Sequence, residues 1–265
     1  MASFLHIFLS RILIFAAVLG VAIWPRASAA ETPPVIAAAS NLRFVLGDLA
    51  DIFKRQTGLA VRLSYGSSGN ITRQISQGAP YQMFLSADET YVRDLAAQGR
   101  TLDEGQLYAY GRIALFLAKG SRLADVNFPA GYGAAFAVPK QYRFAIASPV
   151  HAPYGRAARE ALIHAGLWTV MQPSLLYGEN VSQAAQFAAS GSADGGIIAH
   201  SLALTLKGQG RGDFWLIPAA WHAALGQRMV LLQGAGETAR KFYAFMGGEI
   251  AHKLLLQHGF MGRKS

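Results

Sequence analysis

Residues 64–88 read SYGSSGNITRQISQGAPYQMFLSAD. A strand-like run, Ala60 to Ser64, leads into Gly66-Ser67-Ser68-Gly69; an amphipathic segment from Asn70 to Gln77 follows, and Gly78 stops it. This spacing predicts a helix whose N-terminus is preceded by a glycine and hydroxyl loop. The first N–H groups of a helix have no intrahelical partner and carry roughly half a positive charge, so such a terminus can hold an anion without a cationic side chain. A serine before a helix is equally an N-cap. The recurrence of the design elsewhere in the chain favours the binding reading.

Upstream, Val35-Ile36-Ala37-Ala38-Ala39 is a short apolar run of the kind a buried parallel strand shows. Ser40 and Asn41 follow, and then Leu42, Val45, Leu46, Leu49, Ile52 and Phe53 recur at helical spacing up to Gly58. Downstream, Met83-Phe84-Leu85 reads as a strand, and Ser86-Ala87-Asp88 caps a helix ended by Gly99. Phe144–Ala147 precedes the rigid loop Ser148 to Gly155, with its two prolines, and a helix with Ala158, Ala161, Leu162 and Ala165 on one face. Leu175 to Tyr177 precedes Gly178-Glu179-Asn180 and an Ala-rich helix from Val181 to Ser190. Ile113 to Ala118, Gly195 to Ala199, Phe214 to Pro218 and Met229 to Leu232 read as further strands, and a single C-terminal helix is predicted from Glu237 to about His258, with Phe242, Phe245, Ile250 and Leu254 packed inward. The segment from Gly120 to Gly133 is turn-rich and has no assignable element.

Strand, polar loop and helix N-terminus therefore repeat in two blocks that separate near Tyr110. The alternation predicts an α/β fold with parallel-rich sheets and helices on both faces. In open α/β sheets ligands bind outside the carboxyl ends of the strands. Two such blocks facing each other aim four helix N-termini at one cleft, an arrangement suited to an anion.

Composition bounds the rest. The chain has 265 residues, no cysteine and a formal charge of +9. Its length supports one large or two ordinary domains. Arg11, the apolar run Ile12 to Ile23 and the small-residue tract Ala27-Ser28-Ala29-Ala30 predict a cleavable export signal over residues 1–30, since about a dozen apolar residues fall short of a membrane span. Its removal takes Arg11 and Arg26 and leaves +7. Without cysteine, thiol chemistry and Cys-ligated metals are excluded. The Lys and Arg residues are scattered rather than gathered in a nucleic-acid arm, which favours small anions or solubility.

AAASN at 37–41, YGSSGNITRQISQGAPYQMFLSAD, ASPVHAPYGRAAREAL at 147–162, GENVSQAAQFAASGSADGGIIA at 178–199 and KLLLQHGF at 253–260 together resemble the periplasmic molybdate-binding proteins of ABC transporters. These have the type II periplasmic binding fold. The similarity runs from about Val35 to Phe260, and SSG followed by RQIxxGAPxxxFxSAD is its most specific part. The resemblance implies a two-lobed molecule with the ligand in the interlobe cleft, lobe 1 formed by residues 31–110 plus 227–265 and lobe 2 by 111–226. It implies a periplasmic, monomeric protein that captures molybdate, and tungstate with it, and hands it to an ABC permease in the inner membrane. It implies no reaction, cofactor, direct metal-ion ligand or nucleic-acid partner. The oxyanion-holding positions of the family match Ser40, Asn41, Ser68, Tyr154 and Val181. Many members carry a Tyr where this chain has Ala199, so one hydroxyl donor of that pattern is missing, and Asn41 is the candidate to replace it.

Three other readings compete. Another small oxyanion such as sulfate fits the same fold. A secreted serine hydrolase would draw on Ser68, His151, His200 and Asp88, but no GxSxG elbow is present. His151, His164, His200, His222, His252 and His258 show no HxxxH or HExxH spacing for a metal. His200, just after the strand Gly195–Ala199, is either a surface residue or a cleft group able to change the anion's surroundings with pH.

Overall fold

The computed structural model describes residues 32–138 and 140–262; the export signal predicted over residues 1–30 lies outside them. Among these residues ten strands form two five-stranded sheets. The first contains β1 (Val35–Ala39), β2 (Arg62–Gly66), β3 (Met83–Ser86), β4 (Gln106–Gly111) and β10 (Leu225–Leu231), in the order β2-β1-β3-β10-β4. The second contains β5 (Ile113–Ala118), β6 (Phe144–Ala147), β7 (Leu175–Gly178), β8 (Gly195–Ala199) and β9 (Gly212–Leu216), in the order β7-β6-β8-β5-β9. Each sheet pairs three strands in parallel and adds two antiparallel pairings, through β10 in the first and β5 in the second. The chain passes between the sheets at Gly111–Ile113 and again between Leu216 and Leu225.

The helices are α1 (Arg43–Thr57), which continues a 3-10 turn over Ser40–Leu42, α2 (Ser68–Ser76), α3 (Glu89–Ala97), α4 (Tyr132–Ala135), α5 (Pro153–His164), α6 (Trp168–Met171), α7 (Val181–Ala189), α8 (His200–Gly208), α9 (Glu237–Met246) and α10 (Glu249–Gln257). Alternation along the strands explains why both faces of the first sheet are covered. Ile36, Ala38, Met83, Leu85, Met229 and Leu231 pack on one side with α1, α9 and α10, whereas Ala37, Phe84, Val230 and Leu232 pack on the other with Ile71, Ile75, Val92 and Leu95 of α2 and α3. Phe53 of α1 meets Phe242 of α9 edge to face at 5.1 Å. In the second sheet, Ile146, Ile197, Ile198 and Phe116 build a continuous core with α5 and α7.

One expectation is corrected, at the C-terminus. The single C-terminal helix is two helices, because Gly247 ends α9 and Gly248 caps α10. Ile250 is correspondingly 45% exposed rather than packed. The Gly120–Gly133 region is mostly turns and ends at the short helix α4. No helix among the described residues is long and apolar enough to cross a membrane.

Candidate functional site

The helix starts predicted from sequence converge. Ser40, Asn41, Ser68, Tyr154 and Val181 line one recess together with Ala39, Gly66, Ser67, Ala87, Ala152 and Pro153. All five are at most 4% exposed. The recess encloses about 10 Å³, room for about one water.

Its chemistry follows from which hydrogen bonds are already made. In α2, Gly69 N–H donates to His151 O at 3.0 Å and Asn70 N–H to the capping Ser67 Oγ, which leaves the Ser68 N–H without a partner. In α5, Pro153 has no N–H, and Gly155 and Arg156 both donate to Ala152 O, which leaves Tyr154. In α7, Ser182 N–H donates to Ser40 Oγ and Gln183 N–H to the capping Asn180 Oδ1, which leaves Val181. Among the described residues, then, the unspent first-turn donors of three helices belong to the residues facing the recess.

The hydroxyls are turned the same way. Ser68 Oγ accepts from Ala87 N–H at 3.0 Å, Ser40 Oγ accepts from Ser182 N–H at 3.2 Å, and Tyr154 Oη accepts from Gln227 Nε2 at 2.9 Å. A hydroxyl whose lone pair is engaged by an N–H keeps its proton to donate elsewhere. Burial raises the Tyr154 pKa, outweighing the opposing effect of the neighbouring Gln227 and Asn41 amides, so the phenol retains that proton. Asn41 donates through Nδ2 to Gln227 Oε1 at 3.0 Å, while its buried Oδ1 has no partner. The site is thus rich in donors, with this one side-chain acceptor unengaged. A multiply charged oxyanion, which offers only acceptors, suits it.

Around the rim the two lobes touch. Ser67 Oγ lies 3.0 Å from His151 Nδ1, Asn70 Nδ2 donates to Glu179 Oε1 at 2.8 Å, and Arg156 pairs with Asp88 and donates to Tyr91 Oη. These contacts dismantle the hydrolase arrangement: His151 is bonded to Ser67 rather than Ser68, Asp88 is held by Arg156, and His200 is bonded through Nδ1 to Gly259 O. His200 also packs on Phe214 and does not line the recess. Among the described residues no group of three or more His, Asp or Glu is placed to hold a metal ion.

Four supporting residues are not among those the sequence singles out. Ser182 donates through Oγ to Ser40 O at 2.8 Å, and Ser201 through Oγ to Asn41 O at 2.9 Å. Ser201 sits in the first turn of α8, directly after β8. Ala199, which closes β8, is fully buried there. Gln227 and Tyr108 stand behind the site on β10 and β4, joined by a 2.9 Å bond from the Tyr108 hydroxyl to Gln227 Oε1. Nothing in the local sequence marks a lone Gln in an apolar strand as a site residue.

Two mixed sheets, two crossings between them and a donor-lined recess where their helix starts meet define a two-lobed α/β solute-binding protein. Residues 34–261 match the family model of bacterial extracellular solute-binding proteins. The chain belongs to that family, and it is a binding protein and not an enzyme. It is 32% identical over 236 residues to the molybdate-binding protein ModA of Rhodobacter capsulatus, covering 88% of this chain and 90% of that one. It is 31% identical over 240 residues to ModA of Azotobacter vinelandii, covering 88% and 91%. The solved structure of the Azotobacter vinelandii periplasmic molybdate-binding protein superimposes with a TM-score of 0.78 at 33% identity, covering 87% of this chain and all of that one.

Proposed function

We propose that this protein captures molybdate, and tungstate equally, in the periplasm and delivers it to an ABC permease as a monomer. The observation that carries this reading is the set of unspent donors on Ser40, Ser68, Tyr154 and Val181 around a single buried recess. Its relatives' binding of molybdate supports the choice of anion. Asn41 completes the set through the second hydrogen of Nδ2. The anion is cargo rather than a cofactor, and its oxygens, not its metal, meet the protein.

A tetrahedral dianion that stays unprotonated near neutral pH finds a donor for each oxygen, whereas a protonated anion such as phosphate brings a hydrogen that the donors oppose. Each bond to a charged oxygen is worth roughly 1.5–3 kcal/mol. About six of them give a tight site after the cost of association. Sulfate differs chiefly in size, so the closeness of the closed walls discriminates against it. The lobes, residues 31–110 plus 227–265 and residues 111–226, part to admit the anion and close over it, because a recess of about 10 Å³ does not admit five heavy atoms unopened. Closure presents one shape to the permease.

Isothermal titration with molybdate, tungstate, sulfate and phosphate tests the reading. Tight binding of the first two and none of the others is expected. Sulfate binding of equal strength reassigns the ligand, and silence from all four reduces the donors to helix caps.

A further inference from the structure

Behind the recess the buried amide of Gln227 makes three hydrogen bonds. Its Oε1 accepts from Tyr108 Oη at 2.9 Å and from Asn41 Nδ2 at 3.0 Å, and its Nε2 donates to Tyr154 Oη at 2.9 Å. Gln227 is fully buried on β10, at the irregularity where the pairing with β4 shifts register between Gln227 and Arg228. Tyr154 belongs to the other lobe, on α5. The bond between them therefore crosses the hinge side of the cleft.

The fold has made room for this contact. A Cβ at Gly111 would collide with Tyr154 Oη and stand 2.6 Å from Gln227 Nε2. Gly111 has no left-handed backbone to justify it. Its missing side chain is the space in which the amide and the phenol meet.

We infer that Gln227 is a positioning residue for the oxyanion site: it fixes the Tyr154 hydroxyl as a donor toward the ligand, and it makes that donor available only when the lobes are closed. The inference rests on the oxyanion reading above. The amide cannot turn over by itself, because its NH2 would then face the NH2 of Asn41. With Oε1 held by two donors, Nε2 is committed to Tyr154, and the phenol proton is left for the anion. A free phenol, by contrast, is as ready to accept as to donate, and closure would have to orient it afresh. The same amide ties Asn41 of one lobe to Tyr154 of the other, so two ligand-facing residues share one support.

A double-mutant cycle with molybdate titration is the test, using Gln227→Leu, Tyr154→Phe and the double variant of the purified protein. Tyr154→Phe removes one donor to a charged oxygen and is expected to weaken binding about tenfold to hundredfold. If Gln227 acts through Tyr154, Gln227→Leu weakens binding similarly, and the double variant is no more than about threefold worse than either. Losses that multiply, or unchanged affinity in Gln227→Leu, overturn the inference.

Gln227→Glu serves where the Leu variant does not fold. Tyr108, Tyr154 and Asn41 face position 227 and are uncharged near neutral pH, while Arg228 turns away onto Glu89. A buried carboxyl there titrates well above the ordinary range. Protonated, it can donate to Tyr154 as Gln227 does; ionised, it draws the phenol proton away from the anion. Affinity for molybdate should therefore fall at least tenfold more than in wild type between pH 6 and pH 8, and parallel pH profiles overturn the inference. Wild-type protein that binds no molybdate overturns the oxyanion reading itself, which separates the two failures.

Discussion

Ser40 and Ser182 clasp each other across the cleft with two bonds of opposite sense. Ser182 N–H donates to Ser40 Oγ at 3.2 Å, and Ser182 Oγ donates to Ser40 O at 2.8 Å. The clasp does two things at once. It joins the 3-10 turn before α1 to the first turn of α7, and it engages a lone pair of Ser40 Oγ so that the hydroxyl proton is left to donate elsewhere. Replacing Ser182 by Ala removes the Oγ bond and keeps the N–H bond. Closure should lose about 1 kcal/mol, seen as a roughly fivefold weaker molybdate affinity with an unchanged unfolding midpoint. Unchanged affinity would show that the clasp forms equally in the open state.

Ser40→Ala with Ser68→Ala should leave a protein that folds and binds poorly. With each hydroxyl donating to a charged oxygen of the anion, the pair should cost about a hundredfold or more in affinity. The same substitutions leave Ser182 N–H and Ala87 N–H without acceptors, so a small drop in thermal midpoint is expected as well. Titration of the double variant with wild-type affinity would remove both serines from the site.

Gly69 sets the rim of lobe 1 directly against the backbone of lobe 2. A Cβ there would stand 2.7 Å from the carbonyl oxygen of His151, to which Gly69 N–H donates. Gly69→Ala should therefore hold the lobes apart without disturbing either core. Small-angle scattering should report a larger radius of gyration in the presence of molybdate than for wild type, with weaker binding. A variant that closes normally would mean that this contact yields at little cost.

Asp88 pairs with Arg156 across the same rim while accepting from Thr90 N–H as the cap of α3. Asp88→Asn keeps an acceptor for the cap and removes the charge. The pair is partly solvated, and its loss should weaken anion binding only about two- to fivefold. The effect should shrink as salt is raised. A loss that is larger and insensitive to salt would point to disruption of α3 rather than to an ion pair.

Stability should fall as the medium is acidified below neutrality. Burial is the main cause that lowers the pKa values of His151, His200 and His222, with nearby Arg73 adding to it at His151 and Arg112 at the other two. Because each folded-state value lies below the ordinary 6.5, the unfolded chain binds protons first as pH drops. The stabilisation is complete above about 6.5 and is lost as pH descends toward the folded values. Thermal midpoints of the ligand-free protein should decline from pH 7 to pH 5.5, less steeply in His200→Asn. A flat profile would mean that these rings titrate alike in both states.

Much of this is legible in the chain. The apolar runs at Val35–Ala39, Met83–Leu85 and Phe144–Ala147 mark buried strands because both sheet faces are covered, and the hydroxyl or amide after each marks a helix start. The five predicted site residues come from the strand-to-helix junctions at Ser40, Ser68, Tyr154 and Val181 together with the family resemblance, and the structure gathers them at one recess. What escapes does so for physical reasons. Gln106–Gly111 is half-polar at its start and carries no clean alternation, which hides β4, and α8 is hidden because its start has no capping side chain. The break at Gly247–Gly248 lies inside a sustained helical pattern. Gln227 and Tyr108 act through partners 73 to 186 residues away, a relation no local window contains.

Everything else depends on donors from Ser40, Ser68, Tyr154 and Val181 closing on one oxyanion. A crystal structure with tungstate, phased on the anomalous signal of the tungsten, addresses this without intermediaries. A single peak is expected in the recess, its oxygens within hydrogen-bonding distance of the hydroxyls of Ser40, Ser68 and Tyr154 and of the N–H groups of Ser68, Tyr154 and Val181. A peak elsewhere, such as the wider groove of about 420 Å³ between Arg43 and Arg211, with the recess empty, would refute that convergence.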